Sequence, residues 1–470
     1  MSSEGQARNL EGARTAAEAG WHESRYNLKV PVPNTEKVAI ANLYAGTCAK
    51  YGPLELYLLS ELDRMDENHP MVGRLARRGV IANFDELAAL ELRGRAACAM
   101  PHGVELSICP TLGCNFDCPY CFEEHRAGRM SQEVQDDVVA LAGRMLDASG
   151  APHLLIEWFG GEPLLAPGVI ESLSARLIET AESRGREYSA TIVTNGYLID
   201  QDVVDMLSAA KVGLMQVTID GLGATHDATR HLAGGGATFD RIVANLRITR
   251  IPFSVNIRHN VHDGNRPQID DLRAFVEQLA EESGNDLSYY PAPVRDNAVA
   301  DARGNQVGLF CGSGPAAVSA LQEAGRFRAG RGHYCGAHGM WNAGIDEKGR
   351  LYKCVDAVAM PQTSFGTARD WDPADPFATS TVPDNLTAYL NTACPIPDEE
   401  CRECVWLPLC AGGCPHERLF GEGRQCLAFK DDPEPFVLAL VDRIDEKMKA
   451  AAEAENNANM SKDEMEGRDV

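Results

Sequence analysis

The side chains best suited to chemistry are the cysteines of Cys114-Asn115-Phe116-Asp117-Cys118-Pro119-Tyr120-Cys121, spaced x3 then x2 on one short loop after an extended run. Three thiolates cannot close a four-ligand site. Structural zinc takes four protein ligands, so a compact trio is the expected form for an iron-sulfur cluster that keeps one iron open to a ligand that is not protein. A zinc knuckle completed by His125 is the alternative for this loop. About forty residues on, Gly160-Gly161-Glu162-Pro163 combines glycines that let backbone approach a ligand with a carboxylate able to accept hydrogen bonds from an ammonium group. Thr194-Asn195-Gly196 and Thr218-Ile219-Asp220-Gly221 each place a polar turn after an extended run, with His226 and Arg230 following the second. Gly235 and Gly236 lack the Gly-Lys-Ser/Thr ending of a phosphate loop and are not read as one.

A second cysteine zone runs from Cys335 through Gly349 and Cys354 to Cys401-x2-Cys404-x5-Cys410-x3-Cys414 and then Cys426. The chain has 15 cysteines and no export-type leader, so cluster or metal ligation accounts for them better than disulfides do. A pair of structural zinc sites is the alternative for this zone. The net charge of −24 argues against nucleic acid or an anionic membrane surface as the main partner, and would suit a cationic peptide segment. No run approaches a membrane span, and the cytoplasm is the expected location.

Positioning these residues requires several units, because 470 residues exceed one ordinary core. Residues 1–22 are rich in Ala, Gly, Glu and Ser and read as a flexible lead-in. Strands are expected over 26–32 and 37–44, around Pro33-Asn34. Helices follow over 53–62 and 71–78, with Gly79 as a C-cap, and a third opens at Asn83 or Asp85 and runs past Leu90. Strand and helix then alternate. Strands are expected over 104–109, 154–159, 188–194, 214–219, 253–258 and 287–290, with helices such as the one capped by Ser131, 169–183 and 239–249 between them. Six strands separated by helices fit an α/β fold, a partial (β/α)6 barrel with its chemistry beyond the C-terminal strand ends. From about residue 445 a helix gives way to an acidic tail.

The cysteine trio with Tyr120 before its last member, the Gly160–Pro163 turn and the strand-end motifs together resemble the radical S-adenosylmethionine (SAM) enzymes. The resemblance implies a [4Fe-4S] cluster on Cys114, Cys118 and Cys121 whose open iron is chelated by SAM. Gly160, Gly161, Glu162 and Pro163 would bind the SAM amino group, and Thr194, Asn195, Thr218, Asp220 and Arg230 would contact its ribose and carboxylate. Thr218 stands where Ser is commoner. Asn256 and Arg258 are further candidates. The seven downstream cysteines resemble the SPASM extension of the family, which holds two auxiliary [4Fe-4S] clusters. Cys401, Cys404, Cys410 and Cys426 would hold one; Cys335, Cys354 and Cys414 would hold the other. That second set is one ligand short: Cys311 completes it, or the site is open to a substrate thiolate. Cys394 is spare, and Cys48, Cys98 and Cys109 read as ordinary buried thiols.

The resemblance divides the chain into the lead-in, a winged-helix-like α+β module over 23–95, a radical SAM core over 96–310, a SPASM domain over 311–430, and a helix and tail over 431–470. In relatives the small module grips the leader of a precursor peptide; a lid or packing unit is the alternative. The implied activity is reductive cleavage of SAM to a 5′-deoxyadenosyl radical that abstracts hydrogen from a ribosomally synthesised peptide, with a thioether cross-link as the first reading. An anaerobic sulfatase-maturing enzyme, forming formylglycine from Cys or Ser, is the second. In that group an Asp directly after a SPASM cysteine acts as base; here Val355 intervenes and the acid is Asp356, the candidate catalytic residue. An electron donor such as flavodoxin or ferredoxin is implied as partner. A multi-cluster electron carrier is the non-enzyme reading, and the strand-end motifs argue against it.

Overall fold

The computed structural model describes residues 15, 17–293, 299–300, 306–307, 335–358, 360–376, 384–392, 398–421, 423–424, 426–427, 430–446 and 449. Cys311, Cys394 and the acidic tail lie outside the described residues.

An antiparallel meander opens the chain: β1 (Asn27–Pro31), β2 (Val38–Asn42) and β3 (Thr47–Tyr51). The β1–β2 turn has Asn34 at a left-handed φ of 59°, which asparagine tolerates. β3 was not anticipated, because four of its five residues are half-buried and no two-residue alternation marks it. α1 (Pro53–Ser60), α2 (Pro70–Arg77) and α3 (Glu86–Ala99) follow. Asp85 caps α3, its Oδ1 accepting the Leu87 and Ala88 amides at 3.0 Å. The lead-in is not wholly separate, since His22–Glu23 pairs with Ile81–Ala82 and Trp21 packs beside α2.

Both faces of this small sheet are covered. One packs Ile40 and Tyr51 against Leu59, Met71 and Leu75. The other packs Tyr26, Leu28 and Val30 against Trp406, Phe436, Val437 and Leu440, the last three on a helix over 434–446. Side chains of this size contribute about 1.5–3 kcal/mol each when fully buried, so the N-terminal module is held to the C-terminal region by an apolar seam. The surface pairs Arg25–Glu403 and Lys50–Asp445 add little by comparison.

The centre of the molecule is a single nine-stranded sheet. β4 (Val104–Ile108), β5 (His153–Trp158), β6 (Glu187–Thr194), β7 (Val212–Thr218), β8 (Ser254–Val261) and β9 (Leu287–Pro293) run parallel in chain order. They are joined by α4 (Gln132–Ser149), α5 (Pro167–Glu182), α6 (Gln201–Ala209), α7 (Ala224–Thr229), α8 (Phe239–Ile248) and α9 (Ile269–Ser283). Alternation decides which way each side chain faces. Ile108, Trp158, Ile192, Val217 and Ile257 turn outward into the main core, where they meet Leu141, Leu173, Leu207 and Ile242 of the helices. The intervening residues face the lumen and include Glu105, Glu157, Gln216 and Arg258.

Past β4 the sheet continues into residues assigned from sequence to the cysteine-rich extension. β10 (Asn342–Ile345) pairs parallel with β4, and β11 (Arg350–Tyr352) and β12 (Gly366–Thr367) add antiparallel. Cysteine-bearing loops of both zones are therefore carried by neighbouring strands. Among the described residues, four short helices follow: α10 (Asp384–Thr392), α11 (Glu399–Glu403), α12 (Leu407–Cys410) and α13 (Pro415–Phe420).

Candidate active site

The loop carrying the cysteine trio leaves β4 and is held on two sides. On one, Gly160 and Gly161 press against its backbone. A Cβ on Gly160 would come within 2.4 Å of the Thr111 carbonyl oxygen, and one on Gly161 within 2.4 Å of that of Gly113. The Glu162 amide donates to the same Gly113 oxygen at 2.9 Å. The glycines of this motif are thus required by close backbone approach. On the other side, residues 231–233 run against the loop: the Asp117 amide donates to His231 O at 3.1 Å and the Ala233 amide to Asn115 O at 2.9 Å. The glycine pair at Gly235 and Gly236 turns this clamp.

Cys114, Cys118 and Cys121 line a cavity of about 490 Å³ at the C-terminal strand ends, together with Gly160, Gly161, Thr194, Asn195, Thr218 and Arg230. The Phe116 amide points at the Cys114 sulfur at 3.4 Å, with the Asn195 side-chain amide at 4.0 Å. Burial raises all three thiols, Cys114 to about 12. Such thiols become thiolates when a metal centre takes them, and donors aimed at the sulfur suit that state. No described cysteine is in a disulfide. Among the described residues no group of three or more His, Cys, Asp or Glu could hold a single metal ion. A four-iron cluster asks something different, since each thiolate takes its own iron; three thiols spread around one cavity fit that demand.

Glu162, Pro163 and Asp220 are buried behind the residues that line the cavity. The Glu162 carboxylate accepts from the Leu164 amide (3.0 Å), Thr194 Oγ1 (2.8 Å) and the Asn195 amide (2.7 Å), tying the glycine turn to the end of β6. Asp220 accepts from the Tyr120 hydroxyl and the Asn260 amide. The physical reason is the same for both: a fully buried carboxylate is costly until protein donors surround it. Tyr120 is the hub. Its hydroxyl also receives Arg230 Nη1 at 2.9 Å and Asn260 Nδ2 at 3.3 Å, so a buried cation and a buried anion meet through one phenol. Arg230 further stacks over Phe116, 5.7 Å from the ring centre. His226 braces this arrangement as the neutral Nε2–H tautomer: Nδ1 accepts the Asp220 amide at 3.1 Å, and Nε2 lies 3.1 Å from Thr238 Oγ1, whose hydrogen goes to the Arg230 carbonyl. Burial, then the Arg230 charge, lowers its pKa to about 3.

The second cysteine zone divides between two places. Cys335 and Cys354 line the far wall of the same cavity with Lys353 and Asp356, and the charges of Cys335 and Cys414 bear on Cys354. Lys353 is buried, its Nζ donating to the Gly339 and Asn342 carbonyls, and burial lowers it to about 7. Although displaced by one residue in sequence, Asp356 sits in a short 3-10 turn, Val355–Ala357, that brings its carboxyl to the cavity. Burial pushes that carboxyl up to about 7.

Cys401, Cys404, Cys410 and Cys426 instead surround a separate small cavity of about 30 Å³ with Arg418, Arg424 and Lys430. Arg418 Nη2 donates to the Cys401 sulfur at 2.7 Å, and Lys430 Nζ lies 3.8 Å from that of Cys426. Four thiols ringed by cations fit a dianionic four-iron, four-thiolate centre. Cys109 is buried as expected, whereas Cys48 and Cys98 are only partly covered.

Sequence reasoning missed the Tyr120 hub, Lys353, and the lumen carboxylates Glu105, Glu157 and Glu123. Glu105 and Glu157 each stand within a mostly apolar strand at a position alternating with its core-facing residues, and that pattern could have marked them.

Residues 108–275 match the radical SAM superfamily. The chain is 33% identical over 150 residues to the AdoMet-dependent heme synthase of Methanosarcina barkeri, covering 31% of this chain and 40% of that one. It is 23% identical over 353 residues to a cysteine-type anaerobic sulfatase-maturating enzyme of Clostridium perfringens, covering 68% and 89%. Among solved structures it is similar to native anSMEcpe with bound AdoMet and Cp18Cys peptide, with a TM-score of 0.50 and 20% identity over 74% of this chain and 99% of that one. At that identity the likeness is one of fold.

Proposed function

Since the chain is a radical SAM enzyme with its radical SAM domain in the barrel, we propose that it is a maturase acting on a Cys-containing peptide made by the ribosome, with a thioether cross-link as product. The observation that carries this reading is one cavity lined on one side by the cysteine trio and on the other by Cys335, Cys354 and Asp356. A substrate held there lies between the two cysteine sets.

When bound, the cluster on Cys114, Cys118 and Cys121 and SAM supply a 5′-deoxyadenosyl radical. The chain's own part is placement. Gly160 and Gly161 present backbone to the SAM methionine end, and Thr194, Asn195, Thr218 and Arg230 present polar groups to the rest of SAM. Glu162 and Asp220 hold those groups from behind. Apolar packing around the barrel keeps water from a radical that must meet its target at contact distance. Two auxiliary [4Fe-4S] clusters belong to this reading: one on Cys401, Cys404, Cys410 and Cys426, the other on Cys335, Cys354 and Cys414, with Cys311 as fourth ligand or a substrate thiolate in its place. They would accept the product electron or hold the substrate sulfur. Residues 23–95 would grip the precursor's leader, and a flavodoxin or ferredoxin would deliver the electron.

Formylglycine formation is the second reading. It is favoured by the 353-residue similarity to a sulfatase-maturating enzyme and by Asp356 reaching the cavity, where it would serve as base. Mass spectrometry separates the two. Anaerobically reconstituted, reduced enzyme is incubated with SAM and a Cys-containing precursor, and 5′-deoxyadenosine is quantified in the same tube. Loss of two hydrogens with a blocked thiol supports the thioether. An aldehyde in place of the thiol overturns it in favour of formylglycine, and absence of both products and of deoxyadenosine from iron-loaded enzyme overturns the peptide-maturase reading.

A further inference from the structure

Most charged groups lining the large cavity are already engaged by the protein. Glu157 accepts from Ser107, Glu105 from Asn342, Arg230 donates to Tyr120, and Lys353 donates to two carbonyls. Glu123 differs from these. It follows Cys121 by two residues, lines the cavity and is only 7% exposed, yet both of its carboxylate oxygens are buried without a hydrogen-bond partner. Its surroundings are anionic, since the charges of Asp356 and Glu347 both bear on it. Arg126 is the cation whose charge reaches it, but the Arg126 Nη2 turns to the Val358 carbonyl at 3.4 Å and no hydrogen bond joins the pair.

A carboxylate buried with no donor costs several kcal/mol, and a fold keeps one where something else fills the gap. The missing partner must bring N–H groups and positive charge into the space between the cysteine trio and Cys354. We propose that Glu123, with Asp356 beside it, binds a cationic side chain of the substrate, so that the segment acted on carries a lysine or arginine next to the residue that is modified. This rests on the reading of the substrate as a peptide. A cation set against Glu123 makes a charge-assisted hydrogen bond to its unpartnered oxygens in a site shielded from water. Phe122 and Phe159, stacked at 6.2 Å, line the same part of the cavity and would cover the aliphatic stem of such a side chain.

The test uses two peptides, acetyl-Gly-Cys-Lys-Gly-amide and its norleucine counterpart, which differ in one charge. Their binding to iron-loaded wild-type and Glu123→Gln enzyme is measured by equilibrium dialysis, with iron counted in each preparation. The wild type is expected to prefer the lysine peptide by roughly tenfold or more, Glu123→Gln to reduce the preference to about twofold, and Glu123→Asp to restore part of it. If Glu123→Gln fails to load iron, Asp356→Asn carries the same comparison, with a smaller loss of preference expected. Equal binding of the two peptides to wild type, or an undiminished preference in Glu123→Gln, overturns the proposal. The two readings fail separately. A Glu123-dependent preference without any modified peptide supports the subsite and sinks peptide maturation, whereas equal modification of both peptides does the reverse.

Discussion

The two best-formed cysteine sites are built on opposite plans. The trio of Cys114, Cys118 and Cys121 opens on a cavity of about 490 Å³, whereas Cys401, Cys404, Cys410 and Cys426 enclose about 30 Å³. Beneath the first lies a buried network of Tyr120, Asp220, Arg230 and His226. The second is fastened near the surface, where Arg418 and Arg424 reach Asp398 at 3.4 and 2.7 Å and Arg424 reaches Glu400 at 2.8 Å. A site that must admit a ligand cannot use that ligand for its own cohesion, so its rigidity has to come from behind. A closed site can be held by its own ligands and by a ring of cations.

The largest effect should come from removing a thiol on each side of this contrast. Cys121→Ala is expected to abolish 5′-deoxyadenosine formation and to lower iron content by about four atoms per chain, read by chromatography and iron assay. Cys404→Ala should lose a similar amount of iron but retain deoxyadenosine formation while the peptide product disappears. Equal loss of deoxyadenosine in both variants would erase the distinction.

Next comes the backing of the open site. Gly160→Ala places a Cβ against the Thr111 carbonyl at a φ of +111°, and should destabilise the fold by roughly 3 kcal/mol in chemical denaturation. Tyr120→Phe removes the hydroxyl shared by Asp220, Arg230 and Asn260, with an expected cost of about 2 kcal/mol and weaker SAM binding by calorimetry. Stability unchanged by Tyr120→Phe would mean that the hub is dispensable.

The smallest effect is a matter of pH. His226 has a folded pKa of about 3, below its unfolded value of about 6.5, so its contribution is fully present above pH 6.5 and is lost as the pH falls toward 3. At pH 5.5 the loss is on the order of 1 kcal/mol, and it should vanish from the pH profile of His226→Gln. The four-cysteine site should respond instead to salt, because its fastening pairs are near the surface.

Much of the architecture was legible along the chain. Strand and helix alternate with clear apolar periods from β4 to β9, so the parallel order and the cavity at the strand ends could be anticipated. β3 and β10 to β12 could not. They are short, and what makes them strands is the partner they pair with: β10 exists because β4 offers an edge 237 residues earlier in the register pair Glu105 and Asn342. Likewise, helical and apolar residues over 401–441 gave no sign that they would cover the N-terminal sheet.

The site divides the same way. Spacing and residue type singled out the cysteine trio and the Gly160–Pro163 turn, because groups within one loop are set by local geometry, whereas the grouping of Cys401, Cys404, Cys410 and Cys426 came from resemblance to the SPASM extension. Which carboxylates face the cavity was decided only by the fold. Glu162 and Asp220 stand in motifs that local sequence can pick out, but the buried donors that hold them, at the ends of β6 and β8 and on the cysteine loop, are brought to them by the fold. Asp356 looks displaced, but a single 3-10 turn returns it to the cavity. Glu123 carries no motif of its own, and only the burial of both its oxygens without a donor sets it apart. Sequence determines which groups are close along the chain. The direction each one faces depends on which neighbours reach it first, and for Glu162 and Asp220 most of those neighbours come from other strand ends and from the cysteine loop, 32 to 100 residues away.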